Sequence, residues 1–540
     1  MAKDLSRDKC VLLTVHYASS ANITALHSFT PSRSDVLDPD LVLRILLTYL
    51  PEATEPKRYT KYVEEVASRL YLDYDRQEVE VDVSPVQDIS DKQAAKQVKQ
   101  LHLQDIVPPR FPPHAPEDLL VRFLIHRAYN IDENAGLLNL VPALIEPFLE
   151  RAEYLRTWYI SVVLPILRMT VEYYPNEAGT PQISLSEFSG LDGPRGTDVL
   201  LRKGKEHDTS LPLSGHANTV IGRDVKCLVG PWMYGHTERK RRKLHHEEKR
   251  GNTGEKDDLD EVEVGARKIS LEGISDDDYN DHDWQYIFKW LVKESENGAI
   301  AVATHLIEDW DGPSDVDLGG FSSGGKDYID EEVLRKLQLQ YAQAAFAVCY
   351  ACDQDTEETI KGAHSILARL AELLNFIPPP DLATSVSSLP RIERHAVKLE
   401  RSEDVAYLEP QNLLTAEHRL TTPRLETYML LQMVVYSAYQ LAGLGYPISM
   451  VHVIKLHFYQ SPDEQLALLQ KVLRKLSQSG ARKDDAQWTA EREKLLWLWN
   501  WGIEQEDGGD SETGAGVLGK IPRERFEEEM LKVFIETGSK

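Results

Sequence analysis

Residues 154–171 read YLRTWYISVVLPILRMTV and carry apolar or aromatic side chains in adjacent pairs: Tyr154 with Leu155, Trp158 with Tyr159, Val162 with Val163, Ile166 with Leu167. Pairs spaced by one helical turn wind into a stripe much wider than the single face a surface helix buries. Such a helix needs neighbours on two sides. That is the situation of the inner layer of a stacked array, where each helix packs on its hairpin partner and on the next repeat. Pro165 removes one backbone donor from the run and is expected to bend it, which a curved superhelix absorbs. The predicted fold is therefore all-α, an irregular α-solenoid of stacked helical hairpins.

Composition narrows the function. A chain of 540 residues is too long for one compact core and long enough for several units or one repetitive one. With 61 basic against 87 acidic residues the net charge is −26, which argues against nucleic acid or anionic lipid as the main partner. Cys10, Cys227, Cys349 and Cys352 are too few for a disulfide scaffold and suggest a reducing compartment. The apolar run 10–15 is too short and badly flanked for a signal peptide, and Ala2 stands where myristoylation needs glycine. The longest apolar stretches, 160–167 and 344–352, reach less than half of the roughly 20 residues a bilayer span requires. Any membrane association is expected to be peripheral.

In chain order, residues 8–19, 21–29, 38–50 and 59–72 read as short helices joined by brief turns. Residues 78–83 alternate acidic residues with valine but find no strand partner, so an extended connector is expected. Ser90 and Gln93 spell a capping box. Pro108, Pro109, Pro112, Pro113 and Pro116 read as a rigid spacer, and residues 118–129 and 137–149 as two further helices. These form an N-terminal helical stretch, 1–174.

Gly, Pro, Asp and Ser dominate from 175 to 283, which reads as a largely disordered insertion. It holds a basic run at 239–243 with Lys249 and Arg250, an acidic tract at 255–283, and one apolar island, CLVGPWMY at 227–234, expected to tether it to the body. As a functional signal the basic run resembles a nuclear address or a contact for acidic lipid or protein; a solvated, mobile loop is the preferred reading, since short basic clusters are frequent and nonspecific. Helical periodicity returns over 284–505. Trp284, Ile287, Phe288 and Leu291 share a face, as do Leu334, Leu337, Tyr341, Ala345 and Val348, and then Ile360, Ala363, Leu367, Leu370 and Leu374. Thr422 and Pro423 read as N-cap and first residue of a later helix, and Ser461, Pro462 and Glu464 cap another. Residues 506–540 read as an acidic, glycine-rich linker and a final amphipathic helix.

The patterns that could carry chemistry are weak. Gly320 to Asp327 nearly spells a phosphate loop, but Asp327 replaces the magnesium-binding hydroxyl and no strand precedes Gly320. Cys349 and Cys352 end an apolar helix without a second pair and read as packing thiols. His245, His246, Glu247 and Glu248 lack the spacing of a zinc-protease helix. His364 lies on an apolar face and reads as a hydrogen-bonded core histidine. Trp488, Trp497, Trp499 and Trp501 admit two readings, core packing or a partner groove on the free face of an end helix. No catalytic residue, metal ligand or cofactor site is expected, and no enzyme.

The segments LVLRILLTYLPE (41–52), YVEEVASRLYL (62–72), LLNLVPALIEPFLERAEYLRTWYISVVLPILR (137–168), PWMYG (231–235) and YAQAAFAVCYACD (341–353) resemble the Sec-thirty-nine domain family of filamentous fungi. That family includes the secretory-pathway subunit of the Dsl tethering complex and is related to the neuroblastoma-amplified sequence protein. The likeness extends over nearly all of 5–505 outside the insertion. It implies a long α-solenoid on the cytosolic face of the endoplasmic reticulum, joining SNAREs there to the subunit that captures COPI vesicles returning from the Golgi. Its implied partners are thus other tethering-complex subunits and SNAREs. Members run well beyond 540 residues, so a chain lacking the distal solenoid would lack one of the two partner contacts. The alternative is a helical scaffold of another assembly, nuclear if the basic run at 239–250 is an address.

Overall fold

In a computed structural model of the chain, which describes residues 5–69, 81–108, 110, 117–175, 183–201, 220–235, 276–321, 331–391, 405–416, 418–478, 485–503 and 513–536, the doubly apolar stretch is one helical run, 153–173. Two wide π turns interrupt it, Tyr159–Val163 and Arg168–Tyr173, on either side of the α-helical turn Leu164–Leu167. The disturbance expected at Pro165 takes this form. A proline ring collides with the carbonyl four residues back, and the wider turn, in which the Leu164 amide reaches Tyr159 O, opens the helix just before it. Leu155, Trp158 to Ile166 and Met169 are buried. The run meets Val141–Ile145 and Leu185–Ser189, and Trp158 packs edge-on against Tyr129 at 5.9 Å. The demand for neighbours on two sides is met.

The secondary structure of the described residues is helical, with no strand among them, so the fold is all-α. Contacts divide the chain into two compact units. The first gathers the described residues of Met1–Lys203, Cys227–Asp260 and Asp317–Tyr328. Within it, helix Arg7–Ser19 touches Ile23–Ser32, Pro39–Tyr49, Ser84–Gln87 and Asp91–Lys99. Local signals fix the helix starts. Asp38 accepts from the Leu41 amide at 2.8 Å, Asp118 accepts from Leu120 at 3.0 Å, and the Ser90–Gln93 capping box forms in both directions. Helix Leu119–Ala135 ends on Gly136 at φ +63°, a left-handed cap for which glycine has no Cβ penalty.

Three helices differ from expectation. The fourth is Thr60–Ser68 and stops at Arg69, whose φ is +53°. Residues 137–149 are not one helix but three short turns, Leu138–Leu140, Val141–Ile145 and Glu146–Phe148, because Pro142 and Pro147 remove donors from the ladder. In the second unit Thr422 and Pro423 do not open the late helix; it runs Leu425–Gly443 with Arg424 at the N-cap. The Thr422 hydroxyl is engaged behind it, donating to His418 O at 2.7 Å, and Thr427 Oγ1 accepts from the Arg424 amide at 3.1 Å instead. Of the extended connector, only residues 81–83 lie within the described residues, and they carry no helix.

The second unit gathers the described residues of Gly204–Lys226, Glu261–Val316 and Ile329–Lys540. Helix Asp276–Glu296 turns at Gly298, φ +87°, into Ile300–Asp309, and packs also on Glu331–Ala351. Ile300–Asp309 packs on Glu357–Leu374, which packs in turn on Glu331–Ala351 and Leu425–Gly443. Asp276–Glu296 and Ile300–Asp309 thus each meet both the next of these helices and the one after it. Trp284 stacks on Trp310 at 5.9 Å, and Tyr341 lies edge-on to Trp310 at 4.9 Å while its hydroxyl donates to Trp310 O at 2.8 Å. Ser461 and Glu464 cap Pro462–Gln478, the Ser461 amide donating to Glu464 Oε2 at 2.7 Å. Among the described residues no helix is long and apolar enough to cross a membrane.

Candidate functional site

The tryptophan-rich helix Asp485–Asn500 is the sequence's most conspicuous candidate for a partner surface, and the chain covers it itself. Trp488, Trp497, Trp499 and Trp501 are all buried. Trp499 Nε1 donates to Ile521 O at 2.9 Å, and Trp501 Nε1 donates to Ser437 Oγ at 3.0 Å. Residues 513–521 form the cover, joined backbone to backbone: the Gly516 amide donates to Trp499 O at 2.8 Å and the Leu518 amide to Leu498 O at 3.1 Å. Glycine is required for this approach, since a Cβ on Gly516 would stand 2.2 Å from Leu498 O and one on Gly514 would stand 2.2 Å from Trp499 O. The final helix, Arg523–Glu536, then packs on Pro462–Gln478. Of the two readings of these tryptophans, packing is the one the structure shows.

One histidine and one lysine complete the cluster. His457 stacks on Trp501 at 4.7 Å and its Nδ1 donates to Gly516 O at 3.2 Å. Burial pushes its pKa down to about 4, and Lys520 adds to the shift, so the ring is neutral at physiological pH. Lys520 Nζ is held by two carbonyls, Phe458 O at 3.0 Å and Gln460 O at 2.6 Å. The geometry suits a packing node.

The remaining motifs resolve in the same direction where they are described. Cys349 and Cys352 are buried, and burial pushes both thiols up, away from the thiolate that redox or metal chemistry uses. His364 Nε2 lies 2.8 Å from Pro380 O, with the ring edge-on to Tyr436, as expected of a hydrogen-bonded core histidine. Among the described residues no group of three His, Cys, Asp or Glu could hold a metal ion. Of the near phosphate loop only Gly320 and Phe321 are described, with Phe321 packed on Tyr159 at 5.2 Å; Lys326 and Asp327 lie outside the described residues. So do His245 to Glu248, the basic run 239–250, and Pro109, Pro112, Pro113 and Pro116 of the proline-rich spacer. The island 227–234 is buried in the first unit, where Trp232 lies on Gly196 and packs against Phe188 at 4.5 Å.

Sequence reasoning missed the buried arginines. Arg127, fully buried, donates to Leu50 O at 2.8 Å and to Pro51 O at 2.7 Å, ending the helix Pro39–Tyr49 from a distance. Arg168 donates to Cys227 O at 2.8 Å and Asp317 O at 2.9 Å. Arg127 satisfies carbonyls at a helix C-terminus, and Arg168 ties a carbonyl of the turn Val225–Val229 to one of a loop.

The described residues therefore define an all-helical protein in which tryptophan, histidine, arginine and cysteine, the residues that most often signal a site, are engaged in packing. A family model described as Secretory pathway protein Sec39 matches residues 11–539, and the chain belongs to that family. This is a family of secretory-pathway trafficking proteins, consistent with a role in protein transport and with protein partners. No curated protein matches the chain.

Proposed function

We propose that this chain is a scaffold subunit of a vesicle-tethering complex of the endoplasmic reticulum, acting in Golgi-to-ER retrograde transport. In this reading it lies on the cytosolic face of the membrane as a peripheral protein and links SNAREs there to the subunit that captures COPI vesicles. The observation that carries the reading is the family match over nearly the whole chain. Asp276–Glu296 and Ile300–Asp309, which each meet the next helix and the one after it, support it, because that pairing is the local rule of an extendable array. The mechanism is mechanical: separated surfaces on one semi-rigid body raise the effective concentration of one partner at the other.

The test is affinity capture on the full chain with purified ER SNAREs and tether subunits. Recovery of both classes is expected. Recovery of neither removes the assignment.

A further inference from the structure

We propose that the outward face of the last helix, Arg523–Glu536, is a docking site for a basic amphipathic helix of another protein, with Leu531 and Ile535 as apolar anchors and Glu524 and Glu528 as the charge-reading end. The helix has two opposed faces. On one, Phe526 packs on Trp499 at 6.1 Å, Met530 is buried, and Glu529 accepts from Gln470 of Pro462–Gln478 at 3.2 Å. On the other, spacings of four, three and four residues set Glu524, Glu528, Leu531 and Ile535 in one row. All four are exposed, Leu531 at 61 % and Ile535 at 68 %.

Of the large apolar side chains exposed among the described residues, these two are the pair that shares one helix. A single exposed leucine needs no explanation, but two aliphatic side chains one turn apart, on a helix whose opposite face is already buried, make a ridge. A helix apolar on two faces asks for two neighbours. This one has the first.

Charge identifies the second. Glu524 enters no ion pair among the described residues, and Glu528 enters one, with Lys532 at 3.0 Å. A second copy laid parallel would set these carboxylates against their own kind, and laid antiparallel would cover Leu531 and Ile535 with them; neither arrangement stabilises. The same two groups repel an anionic lipid surface. A row spaced by three and four residues seats in the groove of another helix, which favours a helical occupant over an extended one. An amphipathic helix with two aliphatic side chains one turn apart, and Lys or Arg one and two turns further on, meets both ends of the row over about 16 Å. The inference goes beyond the tethering reading and does not require it.

The test is biolayer interferometry of the full chain against a stapled helical peptide carrying that pattern with leucines and lysines, and against its twin with glutamates for the lysines. The basic peptide is expected to bind about tenfold more tightly than the twin or better. Glu524→Lys combined with Glu528→Lys should reverse the preference, and Leu531→Asp should weaken the basic peptide by about tenfold or more. All three positions are exposed, thermal melts check that the variants fold, and the charge reversal decides alone if Leu531→Asp does not. No binding, equal binding of the two peptides, a preference that the charge reversal leaves unchanged, or binding indifferent to a folded Leu531→Asp overturns the proposal. A dimer in sedimentation analysis, or co-sedimentation with phosphatidylserine vesicles, that Leu531→Asp abolishes would assign the row to a second copy or to lipid and overturns it as well. Peptide binding retained while SNARE and tether capture fails would remove the scaffold reading alone.

Discussion

Arg168 Nη2 lies 3.1 Å from Asp317 Oδ2, an ion pair between residues far apart in sequence that also holds a loop by its backbone, since the same guanidinium donates to Asp317 O. Arg168 is buried, whereas the Asp317 side chain is 42 % exposed. Removing the arginine would strand two carbonyls; removing the carboxylate would leave them satisfied. Arg168→Ala is expected to destabilise the protein by about 3 kcal/mol and Asp317→Asn by about 1 kcal/mol or less. Urea unfolding of both variants checks the order, and equal losses would contradict it.

That pair also sets an acid limit. Burial works to raise the Asp317 carboxyl, but the Gly319 amide, Arg168 and Cys227 together hold it below its unfolded value of 3.8. A depressed carboxylate stabilises fully above the unfolded value and loses its contribution as pH falls through the folded one. The wild type should therefore lose more stability below pH 3.8 than Asp317→Asn does. Acid titration of the two, followed by circular dichroism, decides the matter.

His457 acts at a milder pH. Its pKa falls from 6.5 to about 4 on folding, so the unfolded chain takes up a proton in that window and the folded chain does not. Stability should decline as pH drops from 6.5 towards 4, by on the order of 3 kcal/mol at most, and level off below. His457→Phe keeps the stack on Trp501 and removes the titration. If its stability follows the wild-type slope between pH 6.5 and 4, the histidine is not the source.

Gly516 should tolerate no side chain. A Cβ there would stand 2.2 Å from Leu498 O, so Gly516→Ala must shift backbone and is expected to cost about 3 kcal/mol. The control is Gly445→Ala, where no atom crowds a Cβ and only the positive φ of +80° is strained. Melting both variants compares the two, and a Gly516→Ala protein as stable as the wild type would show that the cover is not close-packed.

Thiol labelling tests the Cys349 and Cys352 reading. All four cysteines are buried, and burial raises each thiol. A small disulfide reagent should modify the native chain slowly and modify it fully only in denaturant. Rapid native labelling of Cys349 or Cys352 would reopen a redox role.

Much of the helical order was readable because its causes are local. The paired apolar residues of 154–171 demanded two-sided burial, and the capping residues Ser90 with Gln93 and Ser461 with Glu464 form as spelled. Where the reading went astray, a distant or competing partner intervened. Thr422 looked like an N-cap, but its hydroxyl is drawn back to His418 O. Arg127 and Arg168 gave no signal, since the carbonyls they satisfy lie at Leu50, Pro51, Cys227 and Asp317. The π turns around Pro165 could not be foreseen from a proline alone.

The closing strand of chain at 513–521 also makes the indoles of its neighbour helix a natural gauge of integrity. Four of the nine tryptophans, Trp488, Trp497, Trp499 and Trp501, sit in this one helix and the turn after it. A cut or deletion that frees residues 513–521 would wet Trp499, reddening the intrinsic emission and uncovering a sticky aromatic surface, so shortened versions of the chain should be prepared with residue 536 retained.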